Sequence, residues 1–164
     1  MWRCHHVLVQ DDALSWPEVA ARLEAARNYW LCTTTPSGIP HAAPVWGVVI
    51  GQVLYLYSER RTVKARNLAN DPRVVVHLES GEDVVIVRGT AQDLGMPAQV
   101  PDVVTALSAK YTGRDDRQYL PDADPDFDVV YAISPPARHR SQPRPARGGL
   151  GWPWRTAGPP GVYR

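Results

Sequence analysis

Ala43-Pro44-Val45-Trp46-Gly47-Val48-Val49-Ile50-Gly51-Gln52-Val53-Leu54-Tyr55-Leu56-Tyr57-Ser58 sets two β-branched and aromatic runs on either side of a two-residue turn. Gly51-Gln52 has glycine first, as a tight hairpin turn requires. The run 43–50 reads as one strand and 53–58 as the strand returning beside it. Along the second, Val53, Tyr55 and Tyr57 alternate with Leu54 and Leu56, so both faces are apolar and both should be covered.

Outward from this hairpin the grammar stays mostly β. Tyr29 to Thr35 is a strand that ends in the turn residues Pro36-Ser37-Gly38. Before it, Ser15 and Glu18 have capping-box spacing, and Trp16, Val19, Leu23 and Ala26 recur at helical intervals, predicting an amphipathic helix over 16–28. After the hairpin, 62–70 fits a short helix stopped by Asp71-Pro72, because the residue before proline disfavours the helical region. Strands are expected at 73–79 and 84–91 around Ser80-Gly81-Glu82-Asp83, then a helical stretch through Val103, Leu107 and Lys110-Tyr111 ending at Gly113, and a last strand at 127–133. Six strands joined mostly by short turns, with two helices interrupting, predict a mainly β, antiparallel barrel rather than a doubly wound sheet.

The 164 residues fit one compact domain, and 44% hydrophobic with 21% charged residues is ordinary globular usage. Two cysteines, Cys4 and Cys32, imply no disulfide framework. The opening Met1-Trp2-Arg3-Cys4-His5-His6 lacks the apolar run of a signal peptide, and no stretch approaches a membrane span, so a cytoplasmic protein is expected. Cys4, His5 and His6 lack the spacing of zinc ligands, and no metal is expected.

The net charge of +1 hides an asymmetry: residues 135–164 hold six arginines and no acid, leaving 12 basic against 17 acidic groups before them. An acidic body is poorly suited to nucleic acid, whose binding depends on neutralising phosphates. The same final segment has seven prolines and five glycines in 30 positions, so the domain is drawn at 1–134 and 135–164 is read as a disordered or out-of-frame tail. Its large anchors, among them Trp152 and Trp154, sit in Pro/Gly surroundings.

No phosphate loop, dinucleotide fingerprint, nucleophile elbow or zinc-protease helix is present. What remains is Ser58-Glu59-Arg60-Arg61-Thr62-Val63-Lys64, a basic cluster between a strand and a helix start. Free amides at such a start suit a phosphate, Arg61 and Lys64 add charge, and the Ser58 and Thr62 hydroxyls are candidate donors. The bland alternative is a solvated face with Thr62 as an ordinary N-cap. His77, mid-strand, reads as structural, and Tyr111 as core.

Four segments carry a resemblance: 29–34 (Tyr29-Trp30-Leu31-Cys32-Thr33-Thr34), 38–47 with His41 and Pro44-Val45-Trp46, 64–74 (Lys64-Ala65-Arg66-Asn67-Leu68 onward to Val74), and 84–91. In this order and spacing they resemble the pyridoxamine 5'-phosphate oxidase-like split β-barrel family, over about residues 13–133, and most of all its branch of proteins that bind the deazaflavin coenzyme F-420. The resemblance implies a homodimer with a cofactor in each of two clefts between subunits. It places the cofactor phosphate on Lys64, with Ser58, Arg61 and Thr62 as companions, and the ring region along Pro44, Val45 and Trp46, with His41 at the family's histidine position. Tyr57 is counted among the cofactor contacts, and either it or a bound water is a candidate for protonating a product. F-420 is the first cofactor expected and FMN the second. The rival readings are a non-catalytic barrel that holds flavin, deazaflavin or haem, and a defective relative with an empty barrel. The family usually ends with a further short β segment near the cleft, and the text after Ser134 departs from it.

Overall fold

In the computed structural model, residues 15–134 and the pair Val162–Tyr163 are described. The rest of the tail, with Trp152 and Trp154, and the Cys4, His5 and His6 segment lie outside the described residues. The elements are α1 (Trp16–Ala25), β1 (Tyr29–Thr34), β2 (Pro40–Val45), β3 (Gly47–Ile50), β4 (Val53–Ser58), α2 (Val63–Asn70), β5 (Arg73–His77), β6 (Ile86–Asp93), α3 (Pro101–Lys110), β7 (Val129–Ser134) and β8 (Val162–Tyr163).

The strands hydrogen-bond in the order β2-β1-β5-β6-β7-β4-β3, every pairing antiparallel. The two edges of this sheet, β2 and β3, are consecutive in the chain and joined through Trp46. One stretch of backbone therefore serves both edges, which curls the sheet into a split barrel. The single strand expected over 43–50 is in fact two, because Val45 pairs with Tyr29 whereas Gly47 pairs with Leu56. Gly47 permits this switch of partner: a Cβ there would lie 2.4 Å from the Tyr55 carbonyl oxygen and from a Leu56 methyl. Gly51 takes φ +63° in the β3–β4 turn, as the hairpin reading requires.

Alternation then sorts the side chains. Leu31, Val45, Leu54, Leu56, Val74, Val76, Val87, Val129, Tyr131 and Ile133 fill the barrel with Val19 and Leu23 of α1. The other faces of β4 and β7 present Tyr57 and Val130 to Val103, Leu107 and Tyr111 of the α3 region. Both faces of β4 are thus covered, one by the barrel and one by α3. The expected helix start holds too, with the Ser15 amide donating to the Glu18 carboxylate at 2.8 Å. β8 adds two residues to β6, pairing Tyr163 with Ile86 and Val162 with Val87. Among the described residues no helix is long and apolar enough to cross a membrane.

Candidate functional site

β4 delivers the chain to the start of α2, where the sequence turns basic. Thr62 is the N-cap: its Oγ1 accepts from the Ala65 amide at 3.4 Å and donates to the Glu59 carbonyl at 2.8 Å. Ser58 is buried, its Oγ 3.1 Å from Thr62 Oγ1 and 3.3 Å from the Glu59 carbonyl. Thr62 thus caps the helix with its hydroxyl on the Glu59 carbonyl, and Ser58 lies behind it within hydrogen-bond distance of that hydroxyl. What the helix start leaves outward is the amides of Val63 and Lys64, which have no intrahelical acceptor.

The three cations of this segment are placed differently. Arg60 is clamped by Asp93, Nη1 to Oδ2 at 2.5 Å and Nη2 to Oδ1 at 3.0 Å. Arg61 is exposed and shared between Glu59 at 2.6 Å and Asp126 at 2.7 Å. It is spoken for by carboxylates, so it can meet another anion only by giving them up. Lys64 is half-buried, and its ammonium makes no hydrogen bond or ion pair among the described residues. Burial lowers its pKa from the ordinary lysine value, and the charge of Glu59 opposes that only in part. A desolvated ammonium without a counter-ion, beside two open amides at the positive end of a helix, is a donor set that fits a phosphate.

On the sheet side of α2, Asn67 Nδ2 donates to Thr33 Oγ1 at 2.9 Å, and His41 Nδ1 lies 3.5 Å from the same hydroxyl. Thr33 and Asn67 are buried, at 4% and 2% exposure. This link joins β2, β1 and α2 through residues that the sequence spacing does not group together. The signal for it is a polar residue, Asn67, beside Leu68 on the buried side of a short helix and one turn from Lys64. Thr33 also borders a groove of about 460 Å³ on the outer face of β1, β5 and β6, with Cys32, Thr34, Arg73, Arg88 and Thr90.

The ring-contact residues expected from 44–46 do not share one surface. Pro44 lies exposed on the outer face opposite Trp30, and Val45 is in the barrel core. Trp46 stacks on Tyr111, centroids 4.4 Å apart and planes 5° from parallel, with the Arg27 guanidinium 4.9 Å from its ring and its Nε1 donating to Asn28. Tyr57 is also beneath α3, its hydroxyl donating to the Tyr119 carbonyl at 2.7 Å, with its pKa pushed up by burial. The structure therefore brings Ser58, Thr62 and Lys64 together, sets His41 beside α2 through Thr33 and Asn67, and holds Trp46 and Tyr57 in a separate cluster. His77 stacks on Trp30 at 6.3 Å, as a structural residue would. Among the described residues no group of three or more His, Cys, Asp or Glu could hold a metal ion.

The family model described as pyridoxamine 5'-phosphate oxidase matches residues 15–133. A conserved hypothetical protein from Mycobacterium tuberculosis is 27% identical, with a TM-score of 0.62 over 85% of this chain and 96% of its own. A structure described as an F-420 reductase is 25% identical, with a TM-score of 0.57 over 71% of this chain and 92% of its own. The haem storage protein HutZ from Vibrio cholerae shares the fold at 14% identity, with a TM-score of 0.58 over 72% of this chain and 88% of its own. No curated protein matches the sequence. A split barrel of this strand order, and a family match that runs from α1 into β7, place the chain in the pyridoxamine 5'-phosphate oxidase-like family, whose members bind flavins or deazaflavins.

Proposed function

We propose that this protein is an oxidoreductase that binds reduced coenzyme F-420 and delivers its hydride to a small organic acceptor. The observation that carries the reading is Lys64, a half-buried ammonium with no partner among the described residues, at the start of a helix in a barrel of this family. Lys64 and the Val63 and Lys64 amides hold the cofactor phosphate, and the Thr62 cap keeps those amides pointed outward. Asn67 and Thr33 fix α2 against the sheet, so the phosphate site keeps its place relative to the groove on the outer face. When bound, the deazaflavin supplies a two-electron hydride donor, and the chain supplies position, charge and exclusion of water. The likeness to an F-420 reductase favours the deazaflavin over FMN.

The protein acts as a homodimer in this reading. The outer face of β2, β1, β5 and β6 carries Pro44, Trp30, Cys32, Val75 and Ile86 beside His77, Arg73 and Arg88, a mixed apolar and basic surface that a second copy can cover. A second copy laid on that face covers it and roofs the groove beside Thr33. Titration with F-420 and with FMN, followed by fluorescence, tests the cofactor, and sedimentation tests the dimer. Saturable binding of F-420 in preference to FMN, by a dimer, is expected. Preference for FMN moves the protein to the flavin branch, and binding of neither refutes the reading.

A further inference from the structure

A cavity of about 410 Å³ opens where α2 lies against the end of the barrel, between the helix and β6–β7. It is separate from the groove on the outer face and shares no lining residue with it. Its walls are Ala65, Leu68, Ala69, Pro72 and Ala91. Two arginines line it, and their states differ. Arg60 is neutralised by Asp93, whereas Arg66 meets only the Arg61 carbonyl, through Nη1 at 2.9 Å, among the described residues.

The floor is Tyr131, only 5% exposed. Its hydroxyl makes no hydrogen bond among the described residues, yet no fully buried side-chain nitrogen or oxygen there lacks a partner. The hydroxyl oxygen is therefore not fully enclosed and, with Tyr131 lining the cavity, is open there to solvent or to a ligand. Burial raises its pKa, so it stays protonated and is a donor at neutral pH.

We propose that this cavity is a binding site for a small monocarboxylate with a flat apolar body. The body lies on the Ala/Leu/Pro wall, Arg66 meets the carboxylate, and the Tyr131 hydroxyl donates to it from below. The volume is within the range of small-molecule sites, and so is an apolar lining that includes a few polar groups, here Arg66 and Tyr131. One uncommitted cation next to Asp93 favours a single negative charge, since a phosphate dianion would face that carboxylate at close range. The site does not depend on the cofactor reading: Asn67, which faces Thr33, lies on the opposite side of α2.

Calorimetric titration with benzoate, and with neutral benzamide as the control, tests this on the full chain. Benzoate is expected to bind saturably and benzamide about tenfold more weakly or worse, the discrimination a charge-assisted contact supplies. Arg66→Gln is expected to weaken benzoate about tenfold, and Tyr131→Phe, which keeps the ring and removes only the hydroxyl, about fivefold. Lys64→Ala is expected to leave benzoate binding as it was. The proposal is overturned if benzoate shows no saturation, if both Arg66→Gln and Tyr131→Phe bind it like the parent, or if Lys64→Ala abolishes binding, which would put the anion at the helix start instead.

Discussion

Replacing Lys64 by glutamine removes one charge and keeps most of the side chain, so it isolates the term on which cofactor binding depends. The ammonium has no carboxylate partner, and Glu59, the acid that acts on it, already gives an oxygen to Arg61. Its full charge is therefore available to a phosphate. A hydrogen bond to a charged group is worth about 1.5–3 kcal/mol, a loss of roughly 10- to 150-fold in affinity on substitution. Arg61→Gln is the internal control. Arg61 must leave Glu59 and Asp126 before it can help, and exposed pairs of that kind return only about 0.2–1 kcal/mol, so its loss should cost no more than about fivefold.

Stability should move the other way. Lys64 has a folded-state pKa below its ordinary value because burial disfavours the charged form. The cost to the folded state is present at pH values below the folded pKa and fades as pH rises to the unfolded one. At neutral pH Lys64→Gln should therefore unfold at a urea concentration no lower than the parent, while binding far more weakly. Affinity in the parent should also decline at a lower pH than a free lysine would dictate. Fluorescence titration and urea melts of the two variants settle the matter. If Lys64→Gln binds within twofold of the parent, or Arg61→Gln loses as much, the phosphate assignment is wrong.

Three further outcomes concern the joint between β2 and β3. Tyr111 Oη accepts from the Gly47 amide at 2.9 Å and lies within 3.0 Å of the Arg27 and Gly47 carbonyls, so Tyr111→Phe orphans a buried donor and should cost about 1–3 kcal/mol in urea unfolding; a change below about 0.5 kcal/mol would show that water replaces the hydroxyl. Gly47→Ala drives a methyl into the Tyr55 carbonyl and should destabilise by about 2 kcal/mol or prevent folding, readable as a lowered melting temperature. Lys110 donates to Tyr29 Oη at 2.5 Å and to the Gly47 carbonyl at 3.1 Å, and burial lowers its pKa to about 8. Its charged form therefore weighs on the folded state below pH 8 and is released as pH rises toward the unfolded value, so stability should climb between pH 7.5 and 9.5. Lys110→Met should flatten that rise, and an unchanged slope would discount the residue.

The parts of this protein legible in its sequence are those that local chemistry decides. The Gly51-Gln52 turn, the Ser15–Glu18 cap and the two-faced strand Val53–Ser58 each follow from neighbours within a few residues, and the structure has each of them. The break at Trp46 does not. Val45, Trp46 and Gly47 form a continuous β-prone run, and what divides it is remote: Tyr29 and Leu56 claim its two halves, and Tyr111 and Lys110 hold Gly47 from a helix more than 60 residues away. The candidate site divides along the same line. Lys64 at a helix start could be read from spacing and family resemblance. The fate of its neighbours could not, because Arg61 is claimed by Asp126 and Arg60 by Asp93, both distant in the chain. A basic cluster in a sequence counts charges; only the fold says which of them already have partners. In Arg60-Arg61-Thr62-Val63-Lys64 that selection leaves Lys64 uncommitted, and two residues on it leaves Arg66 uncommitted over a different cavity. One short helix thus presents two separate cations to two separate surfaces, and the Lys64 and Arg66 variants should separate cofactor binding from carboxylate binding.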